Sequence, residues 1–299
     1  MRKGMTYAAV SYVLWGLLPL FWHALKSVSA TEILAHRIVW AMAVTLLLTA
    51  ATGRMPALGA ALHNRRVMLT FALSALLLTA NWFIYIWAVN AGYVVETSLG
   101  YFINPLVNVV FGMLFLRERL RPGQMIAIGV AFAGVLYLSV LYGSPPWIAI
   151  ALAVTFGCYG LLRKTASLGS LEGLTLETIL AALPALAYLM FIGASGGGAF
   201  IHAGLSTTLL LAASGIITAV PLLLFASGAR QITMVMLGIL QYIAPTIQFI
   251  LGVTVFGETV TPLRLIGFGL VWLALAIYTL EGAVVGGQKK AQVRAAVKV

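Results

Sequence analysis

"NPLVNVVFG" (residues 104–112) and "APTIQFILG" (residues 244–252) decide how this chain is read. Each sits in a long apolar run. Proline inside a helix removes one backbone hydrogen bond and crowds the carbonyl four residues earlier, so it bends or breaks the helix. Pro105 and Pro245 stand 140 residues apart. At the same separation Gly112 meets Gly252, Glu118 meets Glu258, Pro122 meets Pro262 and Gly129 meets Gly269, without a gap. "WG" at 15–16 also meets "FG" at 156–157 at offset 141. Special residue types recurring in register mark an internal repeat.

The solvent for these runs is lipid. Of 299 residues, 62% are hydrophobic and 8% charged, and the mean hydropathy is +1.05. A soluble domain carries about 25% charged residues. Runs of about 20 apolar residues read as membrane helices. Ten are expected, over 5–25, 31–51, 67–89, 94–116, 122–141, 147–163, 173–193, 206–227, 232–255 and 263–282, punctuated by glycine and proline. The first has a basic start and "VSA" at 28–30, as a signal peptide would, but its apolar span is long for one and the repeat requires it. It is therefore read as retained.

With the N-terminus in the cytoplasm, 15 of the 18 Lys and Arg fall on inner segments, Lys26 and Arg264 fall outside, and Arg37 lies within a span. Cytoplasmic loops collect such residues, so both ends are placed inside. The same rule accounts for the +11 charge and the basic tail without nucleic acid. The expected fold is an all-α integral membrane protein with an N-in/C-in topology, built as two inverted five-helix repeats. These occupy 1–141 and 142–283, followed by a flexible basic cytoplasmic tail, 284–299. Five is odd, so the second copy enters from the opposite side. Inverted repeats are a signature of secondary transporters, whose substrate site lies near the midplane between the halves.

Several blocks carry a resemblance: "WGLLPLFWHAL", "EILAHRIVW", "NWFIYIWAVN", "ETSLGYFINPLVNVVFGMLFLRERL", "YGLLRK" and "QYIAPTIQFILG". They resemble the RarD-like branch, with EamA repeats, of the drug/metabolite transporter superfamily, over nearly the whole chain. The resemblance implies a ten-helix permease of a bacterial-type inner membrane. That branch is associated by name with chloramphenicol sensitivity, and relatives in the superfamily export amino acids and other metabolites. Where such proteins commonly show Lys after the "WG..P" of the first helix, this chain has His23.

Candidate site residues follow from helical spacing. Tyr101, Pro105 and Asn108 share one face at i, i+4 and i+7, with Asn104 beside it. Gln241, Pro245 and Gln248 repeat that face. A proline at mid-bilayer frees a carbonyl, which is tolerable only against protein or a water-filled cavity. The competing view is that the amides merely join helix to helix. Asn81 and Tyr85 lie one turn apart among aromatics that serve either core packing or a substrate box. Arg37 is the most expensive residue in a span and requires a partner or water. His36 precedes it, and Glu96 or Glu32 is the expected partner. Small residues at Ala127, Gly129, Ala133, Gly134, Gly267, Gly269 and Ala274 suit close helix packing and a candidate homodimer contact.

Enzymatic readings are weak. "GASGG" (193–197) matches G-x-S-x-G but lies in a loop after a membrane helix, not at a strand–turn–helix elbow. All 7 acidic residues are glutamate, Cys158 is the single cysteine, and no nucleotide or metal-protease motif occurs. No cofactor is expected. The expected function is export of small organic solutes by alternating access, with proton or exchange coupling. Few fixed charges suggest a neutral, zwitterionic or moderately apolar solute. The alternative is a non-transporting membrane sensor or assembly subunit; within transporters it is a metabolite exchanger.

Overall fold

Lipid leaves a backbone no water to bond, so each apolar run closes its hydrogen bonds internally as a helix. The computed structural model describes residues 2–91, 93–143, 146–257 and 261–296. Glu258, one member of the repeat, lies outside them, as does the side chain of Glu96. Among the described residues twelve helices are formed: α1 (Arg2–Ala24), α2 (Ala30–Ala51), α3 (Met55–His63), α4 (Arg65–Asn90), α5 (Val94–Leu116), α6 (Pro122–Tyr142), α7 (Trp147–Thr165), α8 (Ser170–Ala194), α9 (Leu205–Ala229), α10 (Met234–Gln241), α11 (Ile243–Thr254) and α12 (Pro262–Ala296). Among the described residues ten spans are long and apolar enough to cross a membrane, α10 and α11 together forming one of them. The short α3 is additional.

Helix ends follow local chemistry. Ser29 Oγ accepts a bond from Glu32 N at the start of α2, and Thr233 Oγ1 accepts one from Met236 N at the start of α10. Pro122 and Pro262 open α6 and α12, where a missing N–H costs nothing. Glycine at position 143, with φ 82°, closes α6. Arg117 takes a left-handed turn, φ 53°, after α5. The carboxylate of Glu118 then accepts from Met234 N at 2.7 Å and Val235 N at 3.0 Å, satisfying the free donors of α10. The expected flexible end is helical to Ala296. Its Ala, Gln, Lys and Arg are good helix formers, and they extend α12 past its apolar part.

The main helix pairings join the two halves of the chain. α6 lies against α12, α5 against α7 and α10, α2 against α8 and α9, α1 against α9 and α11, and α4 against α7 and α8. Exchange α1 with α7, α2 with α8, α4 with α9, α5 with α10–α11 and α6 with α12, and this set of pairings maps onto itself. In lipid such contacts rest on close packing and interhelical hydrogen bonds. A Cβ at Gly238 would stand 2.5 Å from the Pro105 carbonyl oxygen, so α10 can cross α5 there only as glycine. Thr45 and Thr49 on α2 bond Thr178 and Thr175 on α8, at 3.1 and 2.8 Å. Gly134 packs against Leu270 and Gly267 against Leu138, within the α6–α12 pair, whereas Gly129 and Gly269 face open space. Arg121, outside the spans, donates twice to Glu281 on α12, and this bonding pushes its guanidinium above its ordinary pKa.

Candidate functional site

The two proline segments fold differently. α5 runs unbroken from Val94 to Leu116 through Pro105. The second copy divides at Tyr242 into α10 and α11, three residues before Pro245. α10 packs along α5, but α11 diverges from it. The space so opened belongs to a cavity of about 190 Å³ bounded by both halves.

Each element brings a share. From α4 come Asn81, Trp82 and Tyr85; from α5 Tyr101 and Asn104; from α10 and α11 Gln241, Pro245 and Gln248; from α2 Arg37. Asn81 Nδ2 donates to the Leu152 carbonyl at 2.8 Å and to Thr155 Oγ1 at 2.9 Å, tying α4 to α7. The rings of Tyr85 and Tyr101 meet edge-on at 6.0 Å. Both remain 37% exposed, so the cavity is not closed off there. Gln248 Nε2 donates to the Trp15 carbonyl at 3.2 Å. That carbonyl lacks a helical donor, because the residue four positions on is Pro19.

Asn108 does not border the cavity. It is 1% exposed and donates to Gln241 Oε1 at 2.7 Å and to Asn104 Oδ1 at 3.4 Å, beneath the cavity floor. Pro105 is likewise behind the wall, its carbonyl against Gly238. His36 turns away: its ring lies 4.8 Å from that of Phe200 and its Nε2 lies 3.9 Å from Glu32. Glu32 is therefore not the partner of Arg37. Its carboxylate accepts from Ala199 N at 2.6 Å and Phe200 N at 3.3 Å, capping the loop before α9. The Arg37–Glu96 pairing rests on a side chain outside the described residues.

The surroundings of Arg37 were not readable from sequence. Its guanidinium carbon lies 4.7 Å from the ring centroid of Trp22 and 4.6 Å from that of Trp82, and Nε donates to Thr218 Oγ1 at 3.1 Å. Tyr12, Trp15 and Phe156 also border the cavity. Aromatics on α1 and α7 carry no mark that separates a cavity wall from lipid contact. The sole available signal was "WG" meeting "FG", which aligns Trp15 with Phe156.

Toward the end that carries both chain termini, the cavity is sealed. Tyr12, Tyr159 and Phe225 are fully buried, with Tyr159 stacked on Phe225 at 6.0 Å. Beyond them Arg163 lies 3.6 Å from Glu177, with side chains 1% and 2% exposed. Arg163 Nη2 donates to the Ser170 carbonyl at 2.9 Å and Ser74 Oγ donates to Glu177 Oε1 at 2.5 Å. The Ser195 hydroxyl donates to the Ile192 carbonyl and His202 Nδ1 lies 3.0 Å from the Phe200 carbonyl, so each bonds its own loop backbone. Among the described residues no group of three or more His, Cys, Asp or Glu could hold a metal.

Ten spans and a cavity walled by both halves describe a multi-pass membrane transporter. The family model of EamA-like transporters matches residues 2–140. "Protein RarD" of Streptomyces exfoliatus is 46% identical over 295 residues, 99% of this chain and 94% of that one. "Uncharacterized transporter YojE" of Bacillus subtilis is 43% identical over 290 residues, 94% of each. A solved crystal structure shares the fold at a TM-score of 0.73 and 22% identity, covering 93% of this chain and 98% of the other. The chain belongs to the RarD-like branch of the EamA transporters, within the drug/metabolite transporter superfamily.

Proposed function

We propose that the protein is a secondary transporter of a bacterial inner membrane that exports small organic metabolites or drugs by alternating access. One observation carries this: a cavity bounded by both halves, sealed at one end by stacked aromatics and bordered at its wider part by amides and aromatic rings. Asn81, Tyr85, Tyr101, Asn104, Gln241 and Gln248 are the solute-binding residues of this proposal; Asn108 supports Gln241 from behind. Energy comes from a proton gradient or from solute exchange, not from catalysis. The self-mapping helix pairings support two inverted repeats. The distribution of Lys and Arg supports placing both termini in the cytoplasm, so that the cavity faces outward.

Cells expressing the protein should export at least one labelled metabolite or drug faster than cells lacking it. Proteoliposomes should reproduce the flux, and Gln248→Ala should reduce it at unchanged protein level. A sensor or assembly subunit would move no solute in either setting. A C-terminal phosphatase fusion should be inactive; activity in the periplasm would reverse the orientation.

A further inference from the structure

Among the described residues Arg37 is a cation without an anion. Among the described residues bordering the cavity there is no carboxylate, and none lies within ion-pair distance of the guanidinium. Of its five N–H donors, Nε is used by Thr218, and no further hydrogen bond to Arg37 is formed among the described residues. Trp22 and Trp82 cover the two ring distances of 4.7 and 4.6 Å, which holds the flat group rigid and offers cation–π attraction without neutralising its charge. An uncompensated cation inside a membrane protein is costly and points to an ion or solute pathway. The fork of Nη1 and Nη2 matches a carboxylate in size and hydrogen-bond geometry.

The remaining wall limits the rest of the solute. A dry cavity of about 150 Å³ is enough to hold benzene; this one measures about 190 Å³ and is open beside Tyr85 and Tyr101, so it admits a body of that size with room for a polar group. Tyr85 and Tyr101 supply ring faces near the opening, and the neutral amides can bond a substituent without demanding a second charge.

We infer that the solute is a carboxylate carrying one aromatic or similarly compact apolar body, taken by Arg37 between Trp22 and Trp82. This rests on the transport reading above and names the chemical class it acts on. Loss of a proton from the solute is not required, since such acids are already ionised at neutral pH.

Three probes of nearly equal shape separate the charge from the ring: phenylacetate, 2-phenylacetamide and phenethylamine. Their binding to purified protein in lipid nanodiscs can be read from quenching of tryptophan fluorescence, because Trp15, Trp22 and Trp82 border the cavity. Phenylacetate should bind at least tenfold tighter than the amide, and the amine weakest of all. Arg37→Gln should bring the acid-to-amide ratio close to one, while Arg37→Lys keeps part of it. Equal affinity of acid and amide for the wild-type protein overturns the inference, as does a preference that survives Arg37→Gln. The wild-type comparison stands even if Arg37→Gln does not fold. Failure of all three probes also overturns the carboxylate assignment, whereas the transport reading is judged separately by the efflux comparison.

Discussion

Arg37 and Arg163 are both arginines inside membrane helices, and the molecule treats them oppositely. Near the turn between α1 and α2, Arg37 borders a cavity, flanked by tryptophans, with no described carboxylate in reach. Near the chain termini, Arg163 is sealed in the protein against Glu177, 3.6 Å away, with Gly173 leaving room for its guanidinium. Glu177 occupies the position of Arg37 in the repeat, 140 residues on. One end thus neutralises its charge internally; at the other, no described carboxylate meets the charge, which the proposal above assigns to the solute. The proline segments divide along the same line. Pro105 lies within a continuous helix behind the wall, while Pro245 follows a break at Tyr242 and borders the cavity. The same sequence device gives two outcomes because the neighbours differ. Asn108 holds Gln241, and the Tyr242 hydroxyl donates to the Phe102 carbonyl at 3.3 Å. Gln248, in the place of Asn108, caps the free Trp15 carbonyl instead.

The contrast can be broken most sharply at Arg163. Arg163→Ala leaves Glu177 buried without its cation, which costs about 3–5 kcal/mol. Expression and the melting temperature in detergent should collapse, and the double variant with Glu177→Gln should recover part of the loss. A single variant as stable as wild type would show that the sealed end does not depend on this pair.

A smaller effect distinguishes the two amides. Asn108→Ala leaves the Gln241 carbonyl oxygen short of a buried donor, a loss of about 1–3 kcal/mol. Gln248→Ala removes one interhelical bond beside the cavity, about 0.6 kcal/mol, and its main effect should fall on transport. Thermal unfolding and flux measured on both variants check the ranking. If Gln248→Ala proves the more destabilising, the division between supporting and lining residues is wrong.

The spans were legible because lipid demands about 20 apolar residues with closed hydrogen bonds, and charge on the loops punctuates them. The polar faces around Tyr101 and Gln241 were legible through proline and amide recurring at one spacing. Three features were not. Pro105 stays within an unbroken helix while Pro245, which leaves the Gln241 carbonyl without its helical donor, follows a break, and no local pattern separates the two. His36 and Glu32 looked like company for Arg37, but on a helix His36 points about 100° and Glu32 about 140° away from it, and both serve the loop at 199–200. Thr218 comes from α9, 181 residues away, and Trp22 from the preceding helix, and neither carries a local pattern, so the cradle of Arg37 appears only on folding.

The interleaving of the two halves sets the order in which the protein can be made. Translation proceeds at about 5–20 residues per second, so the second half follows the first by on the order of ten seconds. During that interval α1 to α6 sit in the bilayer without the helices they pack against. Thr45, Thr49 and Asn108 lack the side chains they later bond, and Glu32 lacks the loop amides that cap it. The nascent first half therefore lacks these partners until α8 to α10 arrive, and is an assembly intermediate rather than a folded domain.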